Sequence, residues 1–166
     1  TLLTDRLEQD LLNYTEGDGD TRPPGFDYVL VDCPPHLGTL KTAVYNFGDY
    51  AVVPSETEFL SFQGTQKHTR QLADMKADPE TGDLIRLNLH TVLPTQMPPR
   101  KQLQANDVLE AMRQVYHTAV ADPIPKLVAV SEAPSHGLSL FEYCYATKVK
   151  SPALAGYANA VRRILA

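Results

Sequence analysis

The sequence predicts an α/β protein, with a mostly parallel sheet carrying helices on both faces, and three observations lead there. Short apolar runs at 29–31, 50–54 and 84–94 alternate along the chain with segments of helical periodicity. The first run, Val29-Leu30-Val31, is continuously apolar rather than alternating, as in strands buried on both faces of a parallel sheet. Asp32 closes that run just before Pro34 and Pro35, which lack the amide hydrogens that would extend a ladder. Open α/β sheets bind ligands beyond the carboxyl ends of their strands, so the acid sits at an expected ligand address.

Taken in order, residues 2–14 place Leu3, Leu7, Leu11 and Tyr14 on one helical face. The polar stretch TEGDGDTRPPG is a turn feeding the first strand. A helix is expected over about 40–47, followed by a short buried strand, 50-YAVVP-54, stopped by Pro54. The next helix, about 59–76, carries Phe62, Gln66, Thr69, Leu72 and Ala73. DPETGD turns the chain into a third strand, 84-LIRLNLHTVLP-94. Residues 106–117 read as a helix capped by Asn106, with Leu109, Met112 and Tyr116 inward. Beyond 123-PIP-125 a loop-rich stretch is expected, then a last helix over about 152–165, opened by Pro152.

At 166 residues the chain suits one domain, and 43% hydrophobic against 21% charged residues argues for a globular protein. No apolar run approaches the roughly 20 residues needed to cross a bilayer, so a cytoplasmic protein without a membrane partner is expected. Cys33 and Cys144 match no zinc or disulfide spacing and read as reduced, mostly buried thiols. A formal net charge of −5 argues against a surface coated in cations for nucleic acid, while leaving room for a local basic patch.

Four segments in order, FDYVLVDCPPHLG, AVVPSETEFLSFQG, TVLPTQMPPR and IPKLVAVSEAPSHG, resemble the ParA/Soj-type chromosome and plasmid partition ATPases, of the deviant Walker-A class that includes MinD. The run 130-VSEAPSHGLSLFEY-143 is the most specific piece. The resemblance implies a P-loop NTPase-like fold, ATP and Mg2+ as cofactors, a homodimer, nonspecific DNA, a ParB-like centromere-binding partner and a nucleoid-associated location. Asp32 falls on the Walker-B acid, expected to act in catalysis by holding Mg2+ through water. Pro125 matches the proline that packs on the nucleotide base, though it reads equally well as a loop proline at a strand end. Leu127 falls where relatives often place a polar residue on the base edge, a hydrogen bond that leucine cannot make. Arg100 and Lys126 match basic positions that contribute to DNA binding, and Lys101, Lys148, Lys150, Arg162 and Arg163 could extend that patch.

The chain departs from the family pattern at Pro98, which replaces an acid, and at Cys144, which stands where an aspartate is usual after the tyrosine. His136 is expected to hydrogen-bond within its loop, and Glu132 to serve either a cation across the dimer or the local structure. None of the nine glycines is followed by lysine, so no Walker-A motif of either kind lies in these residues. Two explanations stand. Residues 1–166 are the C-terminal part of a single ParA-like ATPase domain, which the initial Thr1 favours, or a short relative that has lost hydrolysis and serves as a binding scaffold. On either, the 166 residues alone are expected not to hydrolyse ATP, and a missing central strand is expected to make them dimerise or retain the missing piece as a separate chain.

Overall fold

The computed structural model describes residues 27–33, 40–80, 82–100 and 102–166, together with Asp5 and Gln9. The helix expected over 2–14 lies outside the described residues. The described elements are α1 (Leu40–Phe47), β1 (Tyr50–Glu56), α2 (Phe59–Ala77), β2 (Asn88–Thr95), α3 (Leu103–Tyr116), α4 (Val128–Ser135), α5 (Leu140–Thr147) and α6 (Pro152–Ile164). Strands and helices alternate through α3, as the α/β reading requires. The sheet among the described residues is β1 paired with β2. Their bonds ascend together, Asn88 N donating to Asp49 O at 2.9 Å and Thr57 N to Thr95 O at 3.1 Å, so the strands run parallel.

The strand expected at 29–31 is not formed. Residues 28–33 have no strand pairing, and Tyr28, Val29, Leu30 and Val31 are all exposed, Leu30 to 92%. Apolar side chains alone do not make a strand; a partner must bond at least one backbone edge, and the described sheet contains only β1 and β2. Pro54 does not stop β1 either. Its exposed ring is accommodated within a strand that continues to Glu56. The run at 84–94 begins with a 3₁₀ turn, Gly82–Leu84, and pairs only from Asn88.

Two compact units make up the chain: residues 1–51 with 72–88, and residues 52–71 with 89–166. In the first, Tyr45, Leu72, Ile85 and Leu87 form a buried cluster bordered by Ala51 and Met75. Gly82 closes the turn into Ile85, and a Cβ there would lie 2.3 Å from the Lys76 carbonyl oxygen, so no larger residue fits without backbone movement. Lys76 Nζ caps this end by donating to Leu87 O and Asn88 Oδ1.

In the second unit, α3 buries Ala105, Val108, Leu109 and Met112, an i, i+3, i+4, i+7 stripe. Val108 and Met112 pack with Phe62 of α2, and Tyr116 meets the Phe62 ring edge-on at 6.5 Å. A second cluster joins Leu93, Ala121 and Ile124 to Ala153 and Ala160 of α6. The helix α3 starts at Leu103, not at Asn106: Gln102 is the cap residue without a side-chain cap, and Asn106 donates from inside the first turn to Gln102 O. The stretch after Pro125, expected to be loop, contains α4 and α5. Their corner is fixed by a capping box, in which Glu142 N donates to Ser139 Oγ and Ser139 N to Glu142 Oε2. Among the described residues no helix is long and apolar enough to cross a membrane.

Candidate functional site

The site residues of the second unit gather where β2 ends. Ala121 N donates to Val92 O, and Ile124 N to Pro94 O, so the segment 120–125 lies alongside β2 as a parallel neighbour. A regular parallel ladder would pass the Pro94 carbonyl to residue 123, but Pro123 has no N–H and Ile124 takes its place. One residue is thereby added on this side. The matching addition on β2 falls at Gln96, whose φ of 57° is left-handed, so that Met97 rather than residue 96 donates to Ile124 O. Pairing then resumes: Met97 bridges Pro125 in parallel, and Lys126 N donates to Met97 O at 2.7 Å.

Two expected cations follow this double step, one on each of the paired segments. Lys126 is exposed one residue beyond the bridge, and Arg100 is exposed three residues beyond it, within about 11 Å of Met97 by chain reach. Pro125 is half-buried, and Gly156 of α6 faces it closely enough that a Cβ would lie 3.7 Å from its Cδ. Leu127 packs against the Leu93 and Ile124 cluster as apolar cover.

Of the residues that could extend the patch, Lys148 and Lys150 are exposed, and Lys101 lies outside the described residues. Arg162 is exposed and donates to Asn159 Oδ1. Arg163 is engaged inward, donating through Nη2 to Thr118 O while its Nε is buried. The cleft beside it, lined by Asp122, Asn159 and Ala160 among others, has a volume of about 130 Å³. That is well below the roughly 300 Å³ at which ligand pockets begin.

The corner between α4 and α5 accounts for Glu132 and His136. Tyr143 donates its hydroxyl to Glu132 Oε2 at 2.7 Å, and the His136 ring tilts against Tyr143 at 5.4 Å. The hydrogen bond to Glu132 raises the Tyr143 pKa above the usual phenol value, with a smaller desolvation effect alongside. Of the two roles open to Glu132, the structure displays the local one. Bonds from Ser139, backbone before side chain, hold Glu142 below the usual carboxylate range.

Asp32 belongs to the first unit and is exposed, with no buried strand behind it. Desolvation raises the neighbouring Cys33 thiol pKa, and the Asp32 charge adds to it. Cys33 is exposed, contrary to the expectation of a buried thiol, whereas Cys144 is buried as expected; both are free. Sequence reasoning missed Gln96. Its signal was the spacing of Pro94, Pro123 and Pro125, which removes ladder donors on both strands.

An AAA domain family matches residues 21–84. Soj, the sporulation initiation inhibitor of Bacillus subtilis, is 29% identical over 118 residues, covering 71% of this chain and 45% of its own length. The chromosome partitioning protein ParA of Caulobacter vibrioides is 31% identical over 119 residues, covering 71% of this chain and 43% of that protein. ParA of Myxococcus xanthus is 29% identical over 121 residues, at 71% and 40% coverage. The chain thus spans just under half the length of these relatives. Among solved structures, apo McdA of Cyanothece superposes with a TM-score of 0.74 at 16% identity, over 98% of this chain and 57% of that one. A substituted McdA bound to ATP superposes at 0.52, 14% identity, 66% and 46% coverage. The AAA-domain match and the Soj and ParA relatives support a ParA/Soj-type partition ATPase family for this chain.

Proposed function

We propose that the chain is part of a ParA-type partition ATPase, in which ATP sandwiched between two subunits favours a dimer that holds DNA without sequence preference. Hydrolysis, stimulated by a ParB-like partner, then releases the DNA. The observation that carries this reading is the paired segment at the end of β2, where Met97 bridges Pro125 and the expected cations Lys126 and Arg100 follow, both exposed, one residue and three residues beyond the bridge. Cations on one accessible face suffice for phosphate contacts, and such binding weakens as salt rises. Two exposed cationic side chains on one accessible face would hold the protein to the backbone of a duplex and read no sequence.

Asp32 is the proposed Mg2+ residue. A single exposed carboxylate fits that ion, which keeps most of its waters and needs few protein oxygens. Bound Mg2+ would neutralise charge developing on the terminal phosphates. Asp32 would contribute by accepting hydrogen bonds from the water shell of that ion. Pro125 would present a rigid apolar face to the base, and Leu127, packed into the core, adds no polar contact to discriminate among bases. The dimer, DNA and nucleoid association follow as parts of one cycle, in which differential contacts in two states convert phosphate chemistry into reversible association.

The second reading, a non-catalytic ParA-like scaffold, draws on the absence of a glycine–lysine phosphate loop from the 166 residues. The test is Mg2+-dependent ATP turnover by the intact protein and its Asp32→Asn form. The partition reading expects turnover that falls by about a hundredfold or more on substitution. Absence of turnover in the unsubstituted intact protein, with DNA binding retained, would favour the scaffold.

A further inference from the structure

We propose that Gln96 reads the base of the bound nucleotide, its side-chain amide supplying the polar contact that Leu127 cannot make and selecting adenine over guanine. This rests on the reading of Pro125 as the proline on which the base packs. Leu127 is apolar and packs against the Leu93 and Ile124 cluster, so it brings no hydrogen-bonding group to that base. A replacement has to come from a segment beside Pro125, and the parallel bridge of Met97 to Pro125 identifies it. Met97 N donates to Ile124 O at 3.0 Å, so the peptide joining Gln96 to Met97 lies against the one joining Ile124 to Pro125. With standard backbone dimensions, that hydrogen bond keeps the Gln96 Cα within about 8 Å of the Pro125 ring nitrogen. The glutamine amide stands four bonds beyond its Cα, a reach of about 5 Å, which meets the edge of a planar base laid on the Pro125 ring at van der Waals distance. Of the residues at and next to the bridge, 96–98 and 124–126, only Gln96 carries a donor and an acceptor on one side chain, since Lys126 donates only.

Two further observations support a ligand contact. Gln96 is exposed, and among the described residues its amide has no hydrogen-bond partner, so both of its polar atoms are available. Its backbone has φ 57°, in the left-handed region that residues other than glycine seldom enter, and outliers of this kind cluster at ligand clamps. The selectivity follows from the edges of the two purines. Adenine offers an acceptor at N7 and an amino donor at N6, which one amide matches, Nε2 donating to N7 and Oε1 accepting from N6. Guanine offers acceptors at both N7 and O6, which leaves Oε1 facing an oxygen.

The experiment measures equilibrium binding of ATP, GTP and 7-deaza-ATP, which lacks the N7 acceptor, to the intact protein with Mg2+. Parent, Gln96→Met and Pro125→Ala are compared. The parent should favour ATP over GTP by about tenfold or more. It should favour ATP over 7-deaza-ATP by about threefold or more, the worth of one hydrogen bond. Gln96→Met keeps the length and removes the amide; it should bind GTP as the parent does and hold all three nucleotides within about twofold of one another. Pro125→Ala should weaken ATP and GTP by a common factor of about threefold or more. A merely structural role for Gln96 would instead move all three nucleotides together. If Pro125→Ala changes neither affinity, the base does not lie on Pro125, and that reading and the role of Gln96 fall together; a parent that binds no nucleotide has the same consequence. If Pro125→Ala weakens both while Gln96→Met keeps the parental preference, or if the parent has no preference, only the role of Gln96 is overturned. Should Pro125→Ala fail to fold, ATP against 7-deaza-ATP in the parent and Gln96→Met decides the matter, because loss of N7 is expected to cost affinity only where Gln96 donates to it.

Discussion

Gly156→Ala tests how closely α6 rests on the Ile124–Pro125 end of the candidate site. Gly156 lies inside α6, where glycine costs about 0.5–1 kcal/mol relative to alanine because it loses more backbone freedom on folding. The structure determines whether that gain is realised. A Cβ built at Gly156 would lie 3.5 Å from Ile124 Cγ1, 3.7 Å from Ile124 Cα and 3.7 Å from Pro125 Cδ. These are ordinary van der Waals separations, so the methyl group fits without displacing either residue. The expected result is a net stabilisation of about 0.5–1 kcal/mol, or roughly 1–4 °C in the thermal midpoint of a chain this size. Urea denaturation followed by far-ultraviolet circular dichroism reads the difference directly. Gly156→Leu is the contrasting case. Its added atoms must enter the space held by Ile124 and Pro125, with an overpacking cost of about 1–3 kcal/mol. A destabilisation of more than about 1 kcal/mol by alanine would show that α6 and the Pro125 segment are packed more tightly than described, and the account of the Met97–Pro125 pairing would need revision.

Met112 of α3, fully buried in the cluster with Phe62 of α2, should cost about 2–5 kcal/mol of stability on Met112→Ala and less than about 1.5 kcal/mol on Met112→Leu, measured by the same denaturation. Tyr143 offers a pH test. Its raised pKa means that the neutral phenol is favoured in the folded state, so its contribution is fully present below the ordinary tyrosine value of 10.0 and is lost as pH rises through the higher folded value. Difference absorbance at 295 nm between the parent and Tyr143→Phe should therefore show a phenol titrating above pH 10.0; a midpoint below it would contradict the hydrogen bond to Glu132. Glu142, held below its ordinary range, works in the opposite direction. Its support for the start of α5 is present at neutral pH and fades as pH falls through the lowered value, and Ser139→Ala should remove that acid dependence.

Much of the architecture was legible in the residues, for identifiable reasons. The helices α1, α2 and α6 begin and end within a residue of expectation because periodicity and the N-terminal Pro152 are local signals. The strand at 29–31 was misread because a buried strand is a property of its neighbours, and an apolar run does not encode whether they are present. The corner of α4 and α5 was missed because Pro134 and Gly137 suggest a loop, although Ser139 and Glu142 at capping-box spacing were there to be read. Of the candidate site, the identities of Arg100, Pro125 and Lys126 were available from motif order. The pairing of their two segments was not, since it joins Met97 to Pro125 across an irregular parallel step set by prolines about thirty residues apart.

The central claim is that this chain helps to couple nucleotide state to sequence-independent DNA binding. The most direct measurement is the affinity of the intact protein for a long nonspecific duplex with ATP and Mg2+ and without them, repeated with Arg100 and Lys126 both changed to alanine. The account predicts tight, salt-sensitive binding only with ATP, and a salt slope lowered by about 2 in the double variant. Equal affinity with and without ATP, or an unchanged slope in the double variant, would contradict it.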